Sequence, residues 1–187
     1  MRYTFLTVLL FCFGLTFAQT KNSNQTDTAV VQRATPDPAW AKFKIPYEYN
    51  GWVSDFEYLF SERQISFFEG MISKFEKETT MEIAVVTLDS ELVKNLDFDS
   101  LVTNLGNTWG VGKKTLNNGV IIGISAKLRK IRISNGYGIE TKISDAETKK
   151  IIDEAMIPLF KNADYFEGLK QGLSRLMDTL RNSKKGK

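Results

Sequence analysis

Apolar residues along this chain follow several rhythms, and the places where one gives way to another divide it into elements. An apolar run from Phe5 to Phe17 follows a single early charge at Arg2, and Thr16-Phe17-Ala18 supplies the small residues that a signal peptidase reads. Residues 1–18 are therefore expected to be a secretory signal peptide, because the run is shorter than the ~20 residues needed to span a bilayer. From Lys21 to Thr28 the chain is almost entirely polar, and Pro36, Pro38 and Pro46 interrupt any helix. Residues 19–48 read as a flexible tether, with Trp40, Phe43 and Tyr47 pinning its last third to a domain that begins near Gly51.

Within the domain the rhythm turns helical at Ser61, where Ser61 and Gln64 spell a capping box with Phe60 and Ile65 as its hydrophobic staple. Ile65, Phe68, Met71, Ile72 and Phe75 then recur on one helical face. Glu82 to Leu88 contains the continuous run Ile83-Ala84-Val85-Val86, the pattern of a strand buried on both faces. A helix from Phe98 to Trp109 follows, with Gly110 as its terminator, and Gly119 to Ala126 forms a second buried strand. A helix between two buried strands predicts a parallel pair with a right-handed crossover. Ile131 and Ile133 alternate with Lys130 and Arg132, so Arg129 to Ser134 is expected to be a half-exposed strand hairpinned through Lys127-Leu128. Ser144 with Glu147, and Asp164 with Glu167, open the last two helices. The first carries Ile151, Ile152, Ala155, Met156 and Leu159; the second carries Phe166, Leu169, Leu173, Leu176, Met177 and Leu180. The expected fold class is α/β, a small mixed sheet with helices on both faces over 51–181, followed by a frayed basic tail at 182–187.

Composition narrows the chemistry. The 187 residues are 42% apolar, enough for one core, and 25 basic against 22 acidic side chains give a net charge of +3. Charges so interspersed do not form the dense basic face of a nucleic-acid binder. There is no histidine, and the single cysteine, Cys12, lies inside the signal segment. Serine–histidine and cysteine–histidine catalysis, histidine phosphotransfer and ordinary zinc sites are thereby excluded. Cleavage before Gln19 removes Arg2 and Cys12, so the exported product is expected to be a monomer without disulfides and without a membrane anchor.

Familiar motifs fail on spacing. Gly110-Val111-Gly112-Lys113-Lys114-Thr115 lacks the glycine and hydroxyl of a phosphate loop, because Asn107 and Lys114 stand there. Asp97-Phe98-Asp99 has no buried strand before it and reads as a helix cap. Gly136-Tyr137-Gly138 lacks the third glycine of a dinucleotide turn, and no window matches an EF-hand. What remains is a set of oxygen-bearing loop residues: Asp55, Asp89, Asn117, Asn118, Glu140 and Asp145. With the two buried strands parallel, Asn118, Glu140 and Asp145 are expected at one sheet edge and Asp89 at the other. Their functional reading is a hard cation; calcium tolerates irregular loop-built shells better than magnesium. The alternative is that these are solvated turn formers.

The ordered segments Gly51-Trp52-Val53-Ser54-Asp55-Phe56-Glu57-Tyr58-Leu59-Phe60-Ser61, Val85-Val86-Thr87, Trp109-Gly110-Val111-Gly112, Asn118-Gly119-Val120-Ile121-Ile122, Arg132-Ile133, Gly136-Tyr137-Gly138-Ile139-Glu140 and Ser144-Asp145 resemble the TPM domain family over about residues 51 to 180. The resemblance implies an exported or lumenal α/β/α sandwich of Rossmann-like shape. Members of that family include a thylakoid-lumen protein of photosystem repair with acid phosphatase activity, a modulator of acetylcholine receptors, and bacterial proteins, some with bound calcium. By the same resemblance Asp55, Asn118, Glu140 and Asp145 match the family's acid or amide positions. Asn118 departs from the common aspartate there, and replacing it by aspartate is expected to tighten calcium by adding a charge. The C-terminal membrane helix or glycine-rich tail of many bacterial members is not seen, so anchorage is expected to need a partner or not to occur. Two functions follow: an exported periplasmic or extracellular calcium-binding module acting through an envelope protein partner, or a metal-dependent acid phosphatase.

Overall fold

The computed structural model describes residues 48–183. The signal segment, the tether up to residue 47 with Trp40, Phe43 and Tyr47, and the end of the basic tail lie outside the described residues.

Two strands carry the domain. β2 (Glu82–Thr87) and β3 (Gly119–Ser125) pair in parallel from Glu82↔Gly119 to Thr87↔Ile124. Every residue of β3 is buried, as are five of the six in β2, so neither face is left to solvent. β1 (Val53–Asp55) adds in parallel outside β2, and β4 (Lys130–Asn135) adds antiparallel outside β3, giving the order β1-β2-β3-β4. The two inner strands and the half-exposed hairpin strand lie where the apolar rhythm puts them. β1 was not expected from sequence, since three residues are too few to show a period.

One face buries Ile83, Val85, Val120, Ile122 and Ile124 under α1 (Glu62–Thr79) and the C-terminal helices. The other buries Ala84, Val86 and Ile121 under α2 (Ser90–Val93) and α3 (Phe98–Trp109). Caps set the helix limits. Ser61 and Gln64 form a reciprocal capping box, Asp97 accepts from the Ser100 amide, and Gly110 ends α3 in the left-handed region at φ 69°.

After β4 a helical turn, α4 (Tyr137–Glu140), stands where the sequence suggests only a loop. α5 (Asp145–Ile151) begins with the Ser144–Glu147 capping box. The single helix expected beyond it is instead interrupted: Ile152–Met156 forms a π turn before α6 (Ile157–Phe160), and the Ile157 amide reaches back to the Ile152 carbonyl. Pro158, near the start of α6, gives the cause, because its ring lacks an amide donor and collides with the carbonyl four residues back in a regular helix. α7 (Tyr165–Asn182) follows, and its Gly168 and Gly172 let the preceding segment approach closely. A Cβ at Gly168 would lie 2.6 Å from the Phe160 ring, and one at Gly172 would strike the Met156 side chain.

The α3–β3 contact rests on the same device. A Cβ on Gly123 would collide with Val102, a β-branched side chain with no exposure and little freedom to turn away. Gly123→Ala should therefore cost about 1–3 kcal/mol in denaturant unfolding. Gly70, on the exposed side of α1, has nothing within 4 Å of its would-be Cβ, so Gly70→Ala should stabilise by up to about 1 kcal/mol. Equal effects in the two variants would contradict this packing.

Candidate functional site

Polar residues gather at both ends of the sheet, where the parallel strands leave backbone groups to be satisfied. At the C-terminal end, Asp55 closes β1. Its Oδ1 accepts from the Leu59 amide at 3.1 Å and from Thr87 Oγ1 at 2.5 Å, and its Oδ2 accepts from the Phe60 amide at 2.8 Å. Thr87 Oγ1 in turn accepts from the Glu57 amide at 2.8 Å. The Glu57 carboxylate crosses to β3, taking the Ser125 hydroxyl at 3.1 Å and the Ala126 amide at 2.7 Å. Asp55, Thr87, Glu57 and Ser125 thus form one chain of hydrogen bonds across three strands. Tyr58, next in the turn after Glu57, has a left-handed backbone at φ 56° and is 90% exposed. Asp89 lies beyond β2 at the same end and caps α2 through the Glu91 amide.

At the N-terminal end, Asn118 is 5% exposed, with both ends of its amide engaged. Its Oδ1 accepts from the Lys113 amide at 2.8 Å, and its Nδ2 donates to the Thr80 carbonyl at 2.6 Å. Glu82 accepts from the Gly112 amide at 2.8 Å and, with Glu76, holds the Lys113 ammonium. A side chain on Gly119 would collide with the Val111 carbonyl, so the 110–119 loop folds directly onto the start of β3. α4 is tied to the same place by Gly136 donating to the Gly119 carbonyl and Gly138 to that of Asn117. Glu140 and Asp145 are exposed, the latter as the first residue of α5.

This placement divides the four family positions between the two ends of the sheet. Asn118, Glu140 and Asp145 belong to the N-terminal end of the sheet and Asp55 to the other. Asp55 pairs with Thr87 and Gly119 with Glu82, five residues apart along β2 or about 16 Å. Asn118 does not fit a ligand role, because its carbonyl oxygen is buried and already bonded. Among the described residues, no three His, Cys, Asp or Glu side chains stand together where they could hold a metal ion. Glu57 escaped the sequence reading, since its partners are 68 and 69 residues away; the local signal was its position two residues after Asp55.

The oxygens here mostly serve the backbone, which sets the sign of two expected outcomes. Asn118→Asp would aim a carboxylate oxygen at the Thr80 carbonyl in place of a donor. The variant should lose about 1–3 kcal/mol of stability, and unchanged unfolding would show that the amide bond does not matter. The second concerns alkaline pH. Lys113 is held above its ordinary pKa by its hydrogen bonds to Glu82 and Glu76. The Tyr49 phenol is raised by burial and then by Glu82, Glu76 and Glu69. Both groups bind their protons more tightly in the folded state. Their contribution is therefore complete below the unfolded values and is lost as pH rises through the folded ones, above about pH 10. The melting temperature should fall there, and less steeply in the double variant Lys113→Met, Tyr49→Phe; an identical alkaline fall in both proteins would contradict it.

Among the described residues no helix is long and apolar enough to cross a membrane. The TPM phosphatase family model, described as the TPM domain, matches residues 53–179. The solution structure of the N-terminal domain of a protein from P. gingivalis is 31% identical, with a TM-score of 0.65, covering 71% of this chain and 83% of that one. The BA42 protein of the psychrophilic bacterium Bizionia argentinensis is 21% identical at TM-score 0.59, covering 68% and 86%, and shares the fold. So does the N-terminal domain of the cg2496 protein of Corynebacterium glutamicum, 18% identical at TM-score 0.54, covering 75% and 84%. No curated protein matches the sequence. With the family model spanning nearly the whole described sandwich, this chain belongs to the TPM domain family.

Proposed function

We propose that this TPM domain is an exported binding module that takes up calcium weakly and meets an envelope protein partner at the C-terminal end of its sheet. The observation that carries the reading is the turn from Asp55 to Phe60. Two carboxylates, Asp55 and Glu57, are locked there by hydrogen bonds, and the residue after the second, Tyr58, stands almost fully in solvent. Open α/β sheets bind ligands at this end. A rigid tyrosine adds contact area to an interface with little entropy left to lose.

Hard oxygen donors suit calcium, whose irregular shell accepts carbonyls and water beside one or two carboxylates. Asp55 and Glu57 supply two such groups, already committed in part to amides and hydroxyls, so affinity should be modest. The phosphatase reading finds less support. Thr87 and Ser125 are hydrogen-bonded to carboxylates as activated nucleophiles would be, yet neither has any exposed surface for a substrate to reach.

Calcium titration watched by amide shifts should move residues 55–60, 87–89 and 125–126. Glu57→Gln should weaken binding several-fold, while Glu140→Gln with Asp145→Asn at the far end should leave it unchanged. Shifts confined to 136–145 would relocate the site. Turnover of a generic phosphomonoester with calcium or magnesium that disappears in Asp55→Ala, in a variant that still melts cooperatively, would replace the binding reading with the enzyme.

A further inference from the structure

A concavity opens on the α7 side of the sheet, between the turn joining β3 to β4 and the turn joining α6 to α7. Its volume is about 600 Å³, inside the range of small-molecule sites. Ile124, Ile131 and Ile157 line it with aliphatic surface, and Phe160 and Tyr165 form a ring wall. Those two rings pack on each other at 5.1 Å and 44°. Arg129 and Lys161 stand on its two sides.

Several independent features fix this arrangement. Arg129 and Ala163 both have left-handed backbones, at φ 51° and 58°, in turns closed by the Ala126 and Phe160 carbonyls. The π turn over Ile152–Met156 sets the register with which Ile157 and Phe160 enter the concavity, and Gly168 leaves room for the Phe160 ring. No acidic residue lines the space. Glu57, which touches two lining residues, is engaged by the Ser125 hydroxyl and the Ala126 amide. Lys130, the third cation there, has its ammonium 5.8 Å from the Phe98 ring, a residue of the opposite face's core. Arg129 and Lys161 have no acidic partner among the described residues.

An aliphatic cavity between two cations without an acidic partner among the described residues, whose other polar side chains are the Tyr165 phenol, the committed Ser125 and Lys130 drawn toward Phe98, offers little to read a base or a sugar. It offers an apolar body and an anionic head a place each. We propose that this cavity binds a single-chain amphiphile with an anionic headgroup, its chain against Ile131, Ile157 and Phe160 and its head between Arg129 and Lys161. Carboxylate and phosphate heads share this chemistry, and a fatty acid or a single-chain phospholipid fragment would supply them.

The test titrates the isotope-labelled protein with octanoate, octyl phosphate, octanol, acetate and inorganic phosphate, each below its aggregation limit. Octanoate or octyl phosphate should shift amides in 124–131 and 157–165 saturably, and the stronger of the two names the head. Octanol, acetate and inorganic phosphate should bind at least tenfold more weakly. The exposed pair Arg129→Gln, Lys161→Gln should weaken the stronger ligand at least tenfold, and Ile157→Trp, which fills the cavity, should abolish its shifts; thermal melts establish that both variants fold. Equal binding of octanol would remove the anion from the proposal, and equal binding of acetate or phosphate would remove the chain. Undiminished affinity in the folded charge variant, or no shifts in these two segments, would overturn it.

Discussion

Two parallel strands without a solvent-facing side govern this domain. Because β2 and β3 are buried on both faces, each face needs a helical layer, and the chain has to cross the sheet to provide both. α3 covers one face while connecting the two strands; α1, α5 and α7 cover the other. The closeness of the layers is set by what is missing: Gly106 on α3 and Gly123 on β3 have no side chain, so Val102 and Ile121 fill the gap. Burial of this apolar surface, at roughly 25 cal/mol per Å², is the term that everything at the sheet ends adjusts to.

At those ends the constraint changes character. Strand termini and tight turns leave amides and carbonyls that water reaches poorly, and an unpaired buried group costs about 1–3 kcal/mol. The domain answers with side chains: Asp55 for Leu59 and Phe60, Glu57 for Ala126, Glu82 for Gly112, and Asn118 for Lys113 and Thr80. An acid or amide beside a conspicuous turn therefore has two possible employers, the backbone and a ligand. Sequence cannot separate them, because the distinction depends on whether an orphan amide from a distant segment arrives within 3 Å.

What was legible follows the same division. The Ser61–Gln64 and Ser144–Glu147 boxes and the Asp97 cap are complete within four residues, so they could be read directly, and the buried runs at 82–88 and 119–126 are long enough to declare themselves. β1 is defined by its pairing with residues 85–87, some thirty positions away, and left no period of its own. The π turn depends on fitting Pro158 into a helix already committed to packing on α7. The site divides likewise: the end to which Asn118 belongs follows from β3, which the sequence shows, whereas that of Asp55 follows from β1, the strand the sequence concealed. Arg129 and Lys161, on either side of one cavity, are brought together by two turns with no shared motif.

The amide at position 118 then acquires a physical meaning that charge counting alone misses. A carboxylate there would still accept from the Lys113 amide, but its second oxygen would face the Thr80 carbonyl, acceptor against acceptor. That geometry is tolerable if a proton or a cation lies between them. Asparagine carries the needed donor covalently, and so closes the knot of Thr80, Lys113 and Asn118 without any ion. In this chain the N-terminal end of the sheet is finished by the polypeptide itself. The C-terminal end is different: Asp55 and Glu57 present their carboxyl groups in half-exposed positions near Tyr58 in the chain. The calcium proposed for this domain is assigned to that end for this reason.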